Sequence, residues 1–135
     1  MKRALVLILL LTAAACSSTT EAGPGASGSE IVLELGRRVV LDGTSITVGM
    51  QAVEDSRCPT TVLCIWAGNG RVTLDLRDTN GTQLTADLNT HPDLPRAVTF
   101  RYVRVELVAL DPYPVYATAN RVDYQAHLRW SYLPD

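Results

Sequence analysis

The chain has 135 residues, with 12 Lys and Arg against 14 Asp and Glu and a formal charge of −2. That acidic balance argues against nucleic acid, which wants a basic stripe, so nucleic acid is not an expected partner. Three cysteines and two histidines leave few soft ligands for a metal centre, and none is expected.

Residues 1–15 read as a signal peptide. Lys2 and Arg3 precede an apolar run from Ala4 to Leu11, and Thr12-Ala13-Ala14-Ala15 follows. The run is about eight residues long, well short of the roughly 20 that a permanent membrane helix needs. Small residues ending at Cys16 resemble the lipobox of bacterial lipoproteins, although Ala13 stands where leucine is most often found there. The resemblance implies that Cys16 is acylated and becomes the first residue of the mature chain. Several acyl chains would anchor it stably without spanning the bilayer. The alternative is plain secretion with a free Cys16. Ser17 in place of aspartate suits the outer membrane if the organism has one. The expected location is therefore the bacterial cell envelope, lipid-anchored and facing outside the cytoplasm.

Residues 16–29 hold Cys16 and then serine, threonine, glycine and alanine around one proline. Such a composition cannot offset the entropy of ordering and makes a flexible tether, with a mean reach of roughly 20 Å. The remainder, residues 30–135, has the length of one domain with a single core. Removing Lys2 and Arg3 with the signal leaves ten of the twelve basic residues against fourteen acidic ones, a formal charge of −4.

Apolar residues recur at every second position through this domain, which is the period of a half-buried strand. Ile31, Leu33 and Leu35 share one face, and Val39 and Leu41 continue after Gly36. Ile46, Val48 and Met50 form the next strand. Val72, Leu74 and Leu76 then alternate with Arg71, Thr73, Asp75 and Arg77, the pattern of an antiparallel strand wet on one side. Asn80-Gly81 predicts a tight hairpin turn into Leu84 to Leu88, since both residues tolerate positive φ. His91-Pro92-Asp93-Leu94-Pro95 predicts a loop, because proline supplies no ladder donor.

The alternation of Val98, Phe100 and Tyr102 slips against that of Val103, Val105, Leu107 and Ala109, which predicts a bulge or bend at Tyr102-Val103. Asp111-Pro112-Tyr113-Pro114 ends that strand. The last strand, from Arg121 to Tyr132, places Val122, Tyr124, Ala126, Leu128, Trp130 and Tyr132 on one face, with Trp130 in the core and His127 toward solvent. About seven to eight short strands predict an all-β, single-domain antiparallel β-sandwich, immunoglobulin-like, or a small barrel. No phosphate loop, repeat or amphipathic helix is present, and no cofactor is expected.

The stretch Asp55-Ser56-Arg57-Cys58-Pro59-Thr60-Thr61-Val62-Leu63-Cys64-Ile65-Trp66-Ala67-Gly68 carries the chemistry. Outside the cytoplasm thiols oxidise, and with Cys16 assigned to lipid the domain keeps an even pair, so a Cys58–Cys64 disulfide is expected. A loop this short contributes roughly 2 kcal/mol by chain entropy, so its main effect is on loop shape. A metal site would need His91, His127 or carboxylates beside the cysteines. A cysteine nucleophile would need a free thiolate with a base. Ser56 and Ser131 lie beside no histidine, and the adjacent Glu54 and Asp55 point to opposite faces of a strand. No catalytic residue is therefore expected.

Candidate binding residues are Arg57, Trp66, Tyr113 and Tyr116. Arg57 either pairs with Asp55 or Glu54 and locks the loop, or projects as the basic residue of a protease inhibitor whose rigid loop spares the ordering cost of binding. Trp66 is expected to pack against the cystine beneath one sheet. Tyr113 and Tyr116, among prolines, are candidate exposed aromatics.

The DSRCP motif, the cysteine and tryptophan that follow, and Ala67-Gly68 resemble a signature of small bacterial lipoproteins and exported proteins. Tyr102, Asp111-Pro112-Tyr113-Pro114 and Tyr124 are similar to the C-terminal half of that group. The resemblance implies a compact exported β domain and lends no catalytic residue. The expected function is a non-enzymatic envelope domain that binds a protein or small molecule through its loops. The alternatives are a protease inhibitor acting through Arg57, and an envelope metal-binding protein or enzyme.

Overall fold

The computed structural model describes residues 28–115 and 122–134. Cys16, Tyr116 and the signal segment lie outside them. The described residues contain no helix and form eight strands. These are β1 (Ser29–Glu34), β2 (Arg38–Val40), β3 (Ile46–Asp55), β4 (Gly70–Asp78), β5 (Gln83–Asn89), β6 (Ala97–Phe100), β7 (Val103–Asp111) and β8 (Gln125–Tyr132). Strand β1 thus takes in Ser29, the last residue of the expected tether. Two antiparallel four-stranded sheets, ordered β1-β8-β7-β6 and β2-β3-β4-β5, pack face to face as a sandwich.

Their facing sides supply the core. Leu33, Leu41, Ile46, Val48, Met50, Val72, Leu74, Leu76, Val105, Leu107, Leu128 and Trp130 are all buried there, as the alternation predicts. The β4–β5 hairpin forms where Asn80-Gly81 predicts it, but only Gly81 takes a positive φ, at 85°. Asp78 accepts the Gly81 amide and donates to Thr82. The turn is therefore the longer kind, with a glycine at its left-handed position.

The slip at Tyr102-Val103 is neither a bulge nor a bend within one strand. Phe100 pairs with Val103, so Arg101 and Tyr102 form a two-residue hairpin, with Arg101 at φ 57°. Reversing the chain restarts the alternation. The bulges lie at Gln51, between Met50 and Ala52, and at Val108, between Leu107 and Ala109. The Arg96 guanidinium donates to the carbonyls of Leu107 and Val108 at 3.2 Å each and holds the second bulge.

Asp75 corrects the expectation of a wet outer face on β4. It points outward yet is only 2% exposed, because Arg38 and Arg77 close over its carboxylate. Arg38 reaches it by lying across Gly49, where a Cβ would come within 2.9 Å of the Arg38 Cγ. His127 is likewise not simply solvated, since its Nε2 lies 2.9 Å from Asp111.

The loops sort to two ends. The β3–β4, β5–β6 and β7–β8 connections share one end, while the chain enters at Ser29, beside Trp130, at the other. Gly81 has no atom near its missing Cβ, so Gly81→Ala should meet only the left-handed backbone penalty. The expected loss is roughly 1–2 kcal/mol, read from the denaturant midpoint at unchanged slope.

Candidate functional site

The β3–β4 connection, Ser56 to Asn69, extends the hairpin and then opens into a loop. Its neck continues the ladder, with the Ser56 amide on the Asn69 carbonyl at 2.8 Å and the Cys58 amide on the Ala67 carbonyl at 2.9 Å. Gly68 is obligatory there, at φ +70°, because a Cβ would fall 1.9 Å from the Ser56 carbonyl oxygen. Cys58 and Cys64 are bonded to each other, with their Cα atoms 5.9 Å apart.

Arg57 sits at the base of the loop and faces inward. Its Nε and Nη2 grip the two Asp55 carboxylate oxygens at 2.8 and 2.7 Å. The remaining donors reach across to the other sheet, Nη1 to the Leu110 carbonyl at 2.6 Å and Nη2 to the Pro112 carbonyl at 2.8 Å. The Tyr113 ring covers the guanidinium at 4.7 Å. At 8% exposure, Arg57 cannot be the projecting basic residue of an inhibitor, which corrects that alternative. Its pairing with Asp55 is the one expected, and Tyr113 is a half-exposed lid on that pair.

Burial pushes the Asp55 carboxyl up, but the Arg57 side-chain and amide hydrogen bonds, the guanidinium charge and the Tyr124 hydroxyl outweigh it. Asp55 therefore titrates below the ordinary aspartate range. Burial and then the Asp55 charge push the Tyr124 phenol up. Glu54 faces the opposite way and pairs with Arg71.

The outcome for Trp66 reverses the expectation. It does not pack beneath a sheet but stands 81% exposed, with Ile65 at 92% and Leu63 fully exposed beside it. The Arg57 clamp fixes the base of the loop and the cystine closes it, and its apex side chains are left in solvent. The second loop braces it from behind: the Thr60 amide donates to the Pro114 carbonyl at 3.1 Å, and the Thr61 hydroxyl donates to the Val115 carbonyl. A shallow groove of about 350 Å³ runs from Trp66 over Gly68 to Leu94, with His91 and Asp93 on its rim.

Sequence reasoning missed the apex of Leu63 and Ile65. The available signal was a run from Cys58 to Gly70 with no charged residue. It also missed Asn69, whose side chain donates to Asn89 at 2.8 Å and accepts the His91 amide at 3.1 Å. Among the described residues, no three His, Cys, Asp or Glu side chains come together as a metal ion would need. The Ser56 hydroxyl is committed to Asn69. Comparison with known proteins adds no likeness: no family model, curated protein or solved structure matches the chain.

Arg57→Ala leaves the Asp55 charge buried without its partner and should cost roughly 3–5 kcal/mol in chemical unfolding. Asp75 and Asp78 are also held low, because burial raises each but arginine and amide hydrogen bonds prevail. All three carboxyls are more acidic folded than unfolded, where the value is about 3.9. Their contribution is complete above that pH and is lost as pH falls through the lower folded values. Melting temperature should therefore be flat from pH 7 to about 5 and fall steeply below about 4.

Proposed function

We propose that this protein is a non-enzymatic binding domain of the bacterial cell envelope, held at a membrane by acyl chains on Cys16, that docks a partner protein through the apex of its cystine loop. The observation that carries this reading is the apex itself: Leu63, Ile65 and Trp66 stand in water on a loop braced at its base and back. Contiguous exposed apolar side chains on a soluble domain mark interaction sites.

Three features support a protein as the occupant. The amides of Leu63, Cys64, Ile65 and Trp66 have no partner among the described residues. A protein cleft can pair with such donors, whereas in lipid hydrocarbon each would cost several kcal/mol. Beside the apex, Asp93 shares the Trp66 groove and has no arginine partner among the described residues, while Arg57 and Arg71 are committed to carboxylates. A partner with an apolar cleft and a basic rim fits this end. Finally, β3 runs ten residues between the two ends, about 30 Å at the rise of a strand. The apex therefore points away from the end where the tether joins.

Both domain cysteines are consumed in the cystine, so neither is a thiolate nucleophile, which is the support for a non-enzymatic role. The test is photo-crosslinking in intact cells with benzoylphenylalanine at Ile65, or at Thr79 on the opposite end, followed by mass analysis of membrane-extracted protein. Acyl mass on Cys16 is expected, with an adduct from Ile65 alone that disappears when Trp66→Ser is added. Equal adducts from both positions, or none, would refute apex docking. An unmodified Cys16 would refute anchoring.

A further inference from the structure

We propose that the apex is the reactive loop of an inhibitor of serine proteases with an apolar primary pocket, with Leu63 as the side chain that enters the pocket. This inference rests on the reading of the apex as a protein-docking surface and names the class of partner.

The geometry supplies what such a loop requires. Leu63 is fully exposed at the crest of a convex loop, and no charge lies between Cys58 and Gly70, so an apolar pocket is filled without desolvating an ion. Leu63 and Cys64 form a two-residue step between a bend at Val62 and one at Ile65-Trp66, and their amides, unpartnered among the described residues, are free to pair with a substrate-binding cleft. The loop is ordered before binding by the cystine, the Arg57 clamp and the brace from Pro114 and Val115, which removes most of the ordering cost.

The position of the cystine separates inhibitor from substrate. The Leu63–Cys64 peptide bond lies inside the ring closed by Cys58 and Cys64. Attack of the protease serine oxygen on the Leu63 carbonyl carbon would form an ester, break the C–N bond and pass the serine proton to the Cys64 nitrogen. That amine cannot leave, because Cys64 remains bonded through sulfur to Cys58. Its return to the ester carbon reforms the peptide and hands the proton back to serine, with nothing consumed. Holding both ends of the cut in place gives this reversal the advantage of an intramolecular reaction over attack by water.

The test uses the full chain extracted in mild detergent, with chymotrypsin, subtilisin and trypsin as probes. Chymotrypsin or subtilisin should be inhibited at equilibrium and trypsin should not. Leu63→Gly should weaken that inhibition by about 100-fold or more, and Leu63→Lys should transfer it to trypsin. Because Leu63 touches no core residue, both variants should keep the native circular dichroism spectrum. Failure to inhibit either apolar-specific protease, steady turnover at Leu63–Cys64, or inhibition indifferent to Leu63→Gly would overturn the proposal. So would binding of Trp66 to phosphatidylcholine vesicles without inhibition. An Ile65 adduct with a protein that is not a protease would leave docking intact and end the inhibitor assignment.

Discussion

The end of the sandwich that carries the loops depends on one buried ion pair. Asp55 closes β3 in one sheet, and Arg57 joins it to the Leu110 carbonyl of β7 in the other. Removing two charges from water is costly, and Coulomb attraction offsets that only where the remaining donors and acceptors are also matched. Here they are matched: carboxylate oxygens and main-chain carbonyls take the guanidinium donors, and Asp55 also accepts from Tyr124 at 3.2 Å. Gly70 leaves room for the pair, since a Cβ there would come within 3.2 Å of the Arg57 Nε and 2.9 Å of Leu110.

From that constraint the exposure of the apex follows. With the base of the loop fixed and the cystine closing it, Leu63, Ile65 and Trp66 stand clear of the core. Burying a large apolar side chain is worth about 1.5–3 kcal/mol, and whole domains are stable by only about 5–15 kcal/mol. Three such side chains left in water are a substantial forgone stabilisation. The docking proposed for the apex is where burial of these side chains would recover that stabilisation.

The sandwich was legible because each strand carries its own alternation. Val72, Leu74 and Leu76 show their buried face without reference to any other segment. The failures came where a residue's surroundings are set by distant chain. Asp75 sits at an outward position and is buried only because Arg38, 37 residues away, crosses Gly49 to reach it. The pairing of Arg57 with Asp55 is local and was readable, whereas its bonds to Leu110 and Pro112 span more than fifty residues and were not. Trp66 was misplaced because tryptophan beside a cystine favours burial on average, and no local pattern shows that the loop is held clear of both sheets.

The central claim is that a braced loop holds an apolar apex in water. Two tryptophans make it directly measurable, since Trp130 is buried and Trp66 is not. Acrylamide quenching of the native protein, minus that of Trp66→Phe protein, isolates the emission of Trp66. The account predicts red-shifted emission, near that of free tryptophan in water, with near-maximal quenching. Blue-shifted emission shielded from acrylamide in the monomer would mean that the apex is folded onto the domain, and would contradict it.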